Sequence, residues 1–323
     1  QINSTLNESG FDQAERRVDG LGKRLGGVLS TAGGFLLAQG VQQVAGSIGQ
    51  LAGQGLAFEA AMANVNSIAQ LSTSELQNRS AQVTGLTSNP GIAQGPAELA
   101  AGLYNIASSG FSGADGLMVL EASALAATAG LTSSETAATA ITAALNAYGL
   151  EASNAGDISD QMFQVVNDGV ITFEQLAANM GNVLPVAASL GVGFEEVGAA
   201  YAQMTLAGVS ASQAETQIAA LMRSALNPTQ QLTNAVQAQG YASAAAAIEA
   251  EGMSGFLEIL TDASGGSQEA LFDMLGTTEA MNAALLLGGE NLDAYREEIE
   301  RMGEATEGAG ATQKALQKQM QSA

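Results

Sequence analysis

The sequence predicts an all-α protein in which helical hairpins pack into a compact domain, flanked by a Gly-rich N-terminal helix and a coiled-coil-like C-terminal helix. The first observation is a segment that begins with Gly and an aliphatic residue and recurs five times. The second is the distance between these segments, which leaves about 12–16 residues for each helix, close to the usual helix length. The third is a seven-residue repeat near the C-terminus. The five Gly–aliphatic segments are GLTSSETA (130–137), GLEASNAG (149–156), GVITFEQL (169–176), GVGFEEVG (191–198) and GVSASQAE (208–215).

Each Gly–aliphatic segment joins the end of one helix to the start of the next. The Gly can adopt the left-handed conformation that ends a helix, and the aliphatic side chain can pack back onto the last turn. The Ser or Thr that follows can cap the next helix, and a Glu or Gln three residues later completes a capping box. Residues 58–229 are therefore predicted to form a core domain of helical hairpins. The pairs with capping-box spacing are Thr132 with Glu135, Thr172 with Gln175, and Ser212 with Glu215.

Residues 1–57 are predicted to form an amphipathic helix followed by an uncharged helical stretch. From Leu25 to Phe58 there is no charged side chain, but glutamines and glycines interrupt the stretch. It therefore lacks the run of ~20 apolar residues that a membrane-spanning helix needs. We expect close packing in an oligomeric bundle, with insertion of residues 25–57 into a membrane as the open alternative. The close-packing stripe consists of small residues four positions apart, at Gly22, Gly26, Ser30 and Gly34.

Short helices are predicted for residues 230–290, and a coiled coil is predicted to begin at residue 291. Positions with a seven-residue period, typical of a coiled-coil seam, are Leu292, Ile299, Thr306, Gln313 and Met320 and, three residues after the first four, Tyr295, Met302, Ala309 and Leu316. A last amphipathic helix that lies on its own domain is the alternative. Because the pattern runs to the end of the chain, we expect a longer polypeptide. The predicted oligomer seam consists of Leu292, Tyr295, Ile299, Met302 and Leu316.

The charge distribution argues against nucleic-acid binding. The chain has 10 basic and 32 acidic residues, a net charge of −22. Between Arg79 and Arg223 there are twelve carboxylates and no basic residue. Such a surface repels phosphates, whose binding requires clustered Lys or Arg. The chain also lacks Cys and His, which excludes zinc sites built on thiolates or imidazoles and catalysis by a Cys nucleophile or a His base.

Two pairs of acidic residues are candidates for catalytic groups. Asp157 with Asp160, and Glu195 with Glu196, could in principle act as the acid and base of glycoside hydrolysis. Both pairs fall where helices are predicted to begin, and carboxylates there stabilise the helix dipole. The sequence contains no phosphate-binding loop, nucleophile elbow or calcium-loop ligand series. We therefore predict a protein that is not an enzyme, with no catalytic, cofactor-binding or metal-binding residues.

The composition predicts thin interfaces between helices. Hydrophobic residues make up 46% of the chain but aromatic residues only 4%, and there are 39 glycines. Helices that meet through Ala and Gly pack closely but bury little apolar area per residue, so each interface contributes little free energy. One interpretation is a fold that can come apart in use. The other is an ordinary Ala-rich helical protein.

An ordered series of segments resembles the core region of phage tail tape measure proteins. The resemblance runs from Phe58 to Thr229 and is specific because the segments keep their order and spacing. These segments are FEAAMANVNSI (58–68), PAELAAGLYNIASSGF (96–111), LEASALAATAGLTSSETAATAITAALNAYGL (120–150) and the stretch 158–229.

The resemblance implies a structural phage protein that sets tail length during tube assembly, fills the tube lumen in the virion and leaves ahead of the DNA at infection. It also implies location in the tail lumen, reached from the host cytoplasm during assembly. The implied partners are further copies of the chain, as a trimer or alternatively a hexamer, together with the tail tube protein and baseplate hub or tail tip proteins. The alternative function is a membrane-active protein whose 25–57 segment forms a genome-entry conduit in the host inner membrane. The family supplies no catalytic or ligand residues.

Overall fold

The computed structural model describes residues 54–307 and 310–322. This part of the chain contains 16 α-helices, two short 3-10 helices and no strand, so the predicted all-α class is confirmed. The helices from Phe58 onward belong to one packed unit. The predicted close-packing stripe at Gly22, Gly26, Ser30 and Gly34, and the uncharged segment 25–57 except for its last four residues, lie outside the described residues.

The helices follow one another with short connections. They are α1 (54–69), α2 (Thr73–Leu86), α3 (Pro96–Ser108), α4 (Gly113–Ala129), α5 (Ser134–Tyr148), α6 (Ala155–Asp168), α7 (Phe173–Asn179), α8 (Leu184–Ser189), α9 (Phe194–Leu206), α10 (Ala211–Leu226), α11 (Gln230–Ala238), α12 (Ala244–Ser264), α13 (Gln268–Leu275), α14 (Thr278–Leu287), α15 (Leu292–Glu304) and α16 (Ala311–Ser322). The two 3-10 helices are Ala152–Asn154 and Gly289–Asn291.

Three of the five Gly–aliphatic segments end a helix as predicted. Gly149, Gly191 and Gly208 have φ values of 64°, 73° and 89°, in the left-handed region. In each case the next residue donates its N–H to the carbonyl five residues back, which is the long hydrogen bond of the Schellman motif. These bonds join Leu150 to Leu145 (2.8 Å), Val192 to Ala187 (3.0 Å) and Val209 to Met204 (3.0 Å).

The prediction is wrong for the other two glycines, which are required by close packing. Gly130 has φ −84°, and a Cβ there would lie 2.9 Å from the Cβ of Phe173. The left-handed residue is instead Leu131, with φ 52°. Gly169 is extended, and a Cβ there would lie 2.6 Å from Thr205 Oγ1. Both glycines allow neighbouring helices to approach.

Of the three predicted capping boxes, only Thr172 with Gln175 is confirmed. Thr132 is not a cap, because its N–H still bonds to Ala127 O (3.0 Å) at the end of α4, so Ser133 caps α5. Ser212 is not a cap either. The Schellman turn before α10 ends at Val209, and the first hydroxyl after it, that of Ser210, forms the box with Gln213.

Small residues form much of the core. Helix α3 packs along α5 and α10 along α14, the two most extensive helix pairs. At Gly102 on α3, a Cβ would lie 3.1 Å from the Cβ of Ser134 on α5, so the two backbones are nearly in contact. Buried alanines continue these interfaces on α4 and α5, at Ala124, Ala126, Ala127, Ala137, Ala138 and Ala144.

The C-terminal region is two helices rather than one continuous coiled-coil helix. Helix α15 ends at Glu304 and α16 begins at Ala311, and Gly310, directly before α16, has φ 57°. Each of α15 and α16 therefore carries only part of the seven-residue pattern, because a left-handed residue cannot continue a right-handed helix.

Candidate functional site

The predicted oligomer seam faces the chain's own domain. Helix α15 packs on α9 and α6, and α16 packs on α4 and α6. Four seam side chains are at most 7% exposed, and the fifth, Ile299, is partly buried against the same core. Association of copies through these residues therefore requires α15 and α16 to leave the domain, and it stays a prediction. The four buried side chains are Leu292, Tyr295, Met302 and Leu316.

Helix α15 is held closely against α9 by one glycine and one tyrosine. A Cβ at Gly198 would lie 3.4 Å from the sulfur of Met302, so α15 lies almost directly on the α9 backbone. The hydroxyl of Tyr295 donates to the carbonyl oxygen of Glu196 (2.8 Å), and the ring is fully buried. Burial raises the pKa of Tyr295 well above its usual value, so the hydroxyl stays protonated and remains a donor.

Glu196 caps a helix that is distant in sequence. Helix α12 is kinked at Gly252, where φ is 70° and ψ is −177°, and the second half of α12 begins there. Glu196 Oε1 accepts from the N–H of Met253 (2.8 Å) at that new start. Burial raises the pKa of Glu196, and the backbone hydrogen bonds from Met253 and Ser254 oppose this shift. Glu195 and Glu196 lie in the first turn of α9 as predicted, but the carboxylate of Glu196 accepts a hydrogen bond from α12.

Asp160 caps the last helix in the same manner. Its Oδ1 accepts from the N–H of Thr312 (2.8 Å) at the start of α16, and the hydroxyls of Ser159 and Thr312 form a buried hydrogen bond of 2.9 Å. Burial raises the pKa of Asp160, against the lowering effect of its hydrogen bonds from Thr312. Asp157 lies in the first turn of α6 as predicted, whereas Asp160 lies further along that helix and serves α16.

A third polar contact joins α15 to the end of α6. Arg301 pairs with Glu298 one turn before it, and its Nε lies 3.4 Å from Asp168 Oδ2. Gln164 Nε2 also donates to Asp168 Oδ2 (2.6 Å). Burial, together with the hydrogen bond to Asp168, raises the pKa of Glu298 to about 7, and Arg301 opposes this shift.

These polar groups form a docking site for the C-terminal helices, and we call it the docking network: Ser159, Asp160, Asp168, Glu196, Tyr295, Glu298, Arg301 and Thr312. Sequence reasoning found Asp160 and Glu196 but gave them local roles. Thr312, the partner of Asp160, is 152 residues away in sequence, and Met253 is 57 residues from Glu196, so no local pattern could reveal either contact. Ser159, Asp168, Glu298 and Thr312 carried no sequence signal at all.

Metal binding and membrane spans each require a particular arrangement of residues. None of the described Asp and Glu side chains form a group of three that could hold a metal ion. Within residues 54–307 and 310–322, no helix combines the length and apolar character required to cross a bilayer. The buried carboxylates that we located are instead engaged in helix caps and ion pairs within the chain.

The fold and its docking network occur in a chain that belongs to a phage tail protein family. The family described as phage-related minor tail protein matches residues 80–286, more than half of the chain. The protein is therefore a structural component of a phage tail and of the virion.

Two relatives narrow the class to tape measure proteins. The chain is 27% identical to the tape measure protein of Pneumococcus phage Dp-1 over 183 residues, 57% of this chain and 16% of that protein. It is 26% identical to the probable tape measure protein of Clostridium phage phiCD119 over 259 residues, 77% of this chain and 27% of that protein. The chain thus spans less than a third of either relative, and no solved structure matches it. The resemblance to the tape measure family is confirmed.

Proposed function

We propose that this chain is the folded core of a tape measure protein that helps to set tail length, occupies the tube lumen and leaves ahead of the DNA. The observation that carries the proposal is the similarity to two proteins named as tape measure proteins, over 183 and 259 residues. The net charge of −22 supports a lumen role, because an acidic chain does not adhere to the DNA that follows it. Partners in this role are the tail tube protein and baseplate hub or tail tip proteins.

We also propose that copies of the chain associate through the predicted seam once α15 and α16 have left the domain. The same five side chains can be buried when α15 and α16 are docked on the domain and when they associate with other copies. The apolar stripe of an amphipathic helix can cover its own core or a partner helix. A trimer is the preferred assembly and a hexamer is the alternative. The docking network determines how readily the helices leave, since each release exposes buried carboxylates and helix starts.

The experiment that tests the tail-length proposal is a deletion of residues 58–323 in the phage that encodes the chain. If tail length is set by the extended length of the tape measure protein, and these residues are part of that length, tails shorten by ~400 Å, at ~1.5 Å per helical residue. If they act as an assembly module within a tape measure protein, no complete tails form. A copy of the intact gene on a plasmid serves as the control and restores length and yield. Tails of unchanged length and number, measured by electron microscopy, contradict the proposal.

The proposed role requires no catalysis. Asp157 and Glu195 each lie in the first turn of a helix, a position that stabilises the helix dipole. We expect the purified protein to release no products from peptidoglycan. Turnover that is lost in Asp157→Asn or Glu195→Gln would contradict this. Insertion of residues 25–57 into the host inner membrane stays a prediction, to be tested by liposome binding of a 25–57 peptide against one carrying Gly26→Glu and Leu36→Glu.

A further inference from the structure

Three aliphatic side chains at the ends of helices are largely exposed to solvent. Leu131, Val170 and Leu206 are 86%, 70% and 66% exposed, the three highest values among the large apolar side chains of the described residues. Leu131 and Val170 belong to the two Gly–aliphatic segments whose Gly is not left-handed; Leu131 itself takes the left-handed position at the end of α4. The aliphatic residues of the other three segments are buried or partly buried against the core: Leu150, Val192 and Val209.

Contacts between the three connecting loops place these side chains on neighbouring loops of the domain. The backbone at Gly130, next to Leu131, lies against the side chain of Phe173, three residues after Val170. The N–H of Val170 donates to Thr205 Oγ1 (3.2 Å), next to Leu206. The loop that carries Val170 therefore lies between the other two. We call Leu131, Val170 and Leu206 the loop-end patch.

The loop that carries Leu131 is fixed rather than free. Leu131 has φ 52°, a conformation that is unfavourable for a bulky residue and that Gly or Asn adopts more readily. The residues beside it are fixed by packing and hydrogen bonds, since Gly130 contacts Phe173 and the N–H of Thr132 bonds to Ala127 O. A strained and almost fully exposed Leu contributes no burial to this domain, and strain of this kind is commonest at functional sites.

The charges around the loop-end patch restrict what can bind there. Glu135 and Glu174, at the starts of α5 and α7, are exposed beside the loops. Residues 80–222 contain no basic side chain, and Arg301, whose Nε lies 3.4 Å from Asp168 Oδ2 two residues before Val170, is paired with Asp168 and Glu298. The same face of a second copy, a nucleic acid or an anionic bilayer would each bring negative charge to this acidic rim. A protein surface with an apolar centre and a basic rim complements it in both respects.

We propose that the loop-end patch is the contact surface for another tail protein, whose binding site is apolar at its centre and carries Lys or Arg at its rim. This proposal rests on the chain's place in a phage tail protein family and does not depend on the tail-length role. Its failure and the failure of the tail-length proposal are therefore distinguishable.

The test is photo-crosslinking within assembled tails. p-Benzoylphenylalanine is introduced at position 131, 170 or 206 of the full-length protein, in the phage that encodes it. The same group at Phe272, an apolar side chain on α13 that is 43% exposed, is the control. We expect the three patch positions to crosslink to one and the same tail protein, at peptides flanked by Lys or Arg, and position 272 not to do so. Crosslinks to another copy of this chain, to lipid or DNA, or to no product overturn the proposal.

A matched pair of variants tests the chemistry of the contact. Leu131→Asn removes the aliphatic side chain but suits the left-handed backbone, so the domain stays folded. We expect at least a tenfold loss of the crosslink from position 206 in Leu131→Asn, and no loss in the control Phe272→Asn. The double substitution Glu135→Lys with Glu174→Lys reverses the charge of the rim, and it should lower the yield of the crosslink from position 206 to a similar degree. An unchanged yield in Leu131→Asn, with an unchanged melting temperature, contradicts the proposal.

Discussion

Glycine serves two different purposes at the ends of these helices. Gly149 supplies the left-handed conformation that a Schellman turn requires, and sequence reasoning identified this role correctly. At Gly130 the backbone angle suits any residue, and the absence of a Cβ is what matters because Phe173 packs against it. The two roles produce the same letters in the sequence. Only the position of Phe173, 43 residues further along the chain, separates them.

A matched pair of glycine substitutions tests this distinction. We expect Gly130→Ala to lower the free energy of unfolding by about 1–3 kcal/mol, because the new methyl group would overlap the Phe173 side chain. Gly156→Ala is the control, since a Cβ at this position in α6 meets nothing within 4 Å. It should raise the free energy of unfolding by roughly 0.5–1 kcal/mol, as Ala replaces Gly in a helix. Urea denaturation measures both changes, and equal effects would contradict the packing role of Gly130.

At the scale of helices, α15 and α16 are attached by polar contacts as much as by apolar burial. The sequence predicted an apolar stripe on these helices, and the stripe is present. The sequence could not indicate whether the stripe covers the chain's own core or a second copy. In both cases the apolar side chains of an amphipathic helix pack against another apolar surface. The deciding contacts, from Asp160 to Thr312 and from Tyr295 to Glu196, join distant parts of the chain.

The attachment of α15 should depend on pH. The pKa of Glu298 is about 7 in the folded protein against a usual value of 4.5, so the folded state binds the proton more tightly. Its contribution to stability is therefore full below about pH 4.5 and is lost as the pH rises through 7. The loss between pH 5 and pH 8 is at most about 3 kcal/mol, at 1.36 kcal/mol per pKa unit.

The substitution Glu298→Gln isolates this contribution. We expect the variant to lose much of the difference between its unfolding free energies at pH 5 and pH 8, because Gln cannot ionise. Glu297→Gln is the control, since Glu297 is an exposed neighbour on the same helix. It removes the same formal charge but should keep the pH dependence of the natural protein. Equal pH profiles for the two variants would show that general charge repulsion, and not Glu298, sets the dependence.

A disulfide between α6 and α16 tests whether docking prevents association. The hydroxyls of Ser159 and Thr312 are 2.9 Å apart, and the chain has no Cys, so Ser159→Cys with Thr312→Cys introduces a single defined crosslink. We expect the oxidised protein to remain monomeric in light scattering and the reduced protein to associate as the natural chain does. Association that is unchanged by oxidation would show that copies meet through another surface.

At the scale of the whole molecule, the domain combines a compact fold with interfaces in which alanines and large apolar side chains are both buried. A domain of this size has a radius of gyration of about 20 Å and is about 50 Å across. Several such domains side by side do not suit a narrow tube, whereas extended helices do. The Ala and Gly contacts of α3, α4 and α5 let these helices lie close together, but the same helices also bury large side chains, so opening the hairpins requires free energy that confinement in the tube must supply. These side chains include Leu99, Ile106, Leu120, Ile141 and Leu145. We therefore expect a folded form outside the tube and an extended or partly unfolded form within it.

Hydrogen exchange on the free protein and on intact tails tests this two-state proposal most directly. Amide protection reports whether the hairpins between Ala97 and Pro228 stay closed. We expect strong protection of these helices in the free protein, and weaker or differently distributed protection in the tail. Identical protection in both samples would contradict the two-state proposal and would indicate a rigid domain at one end of the tube.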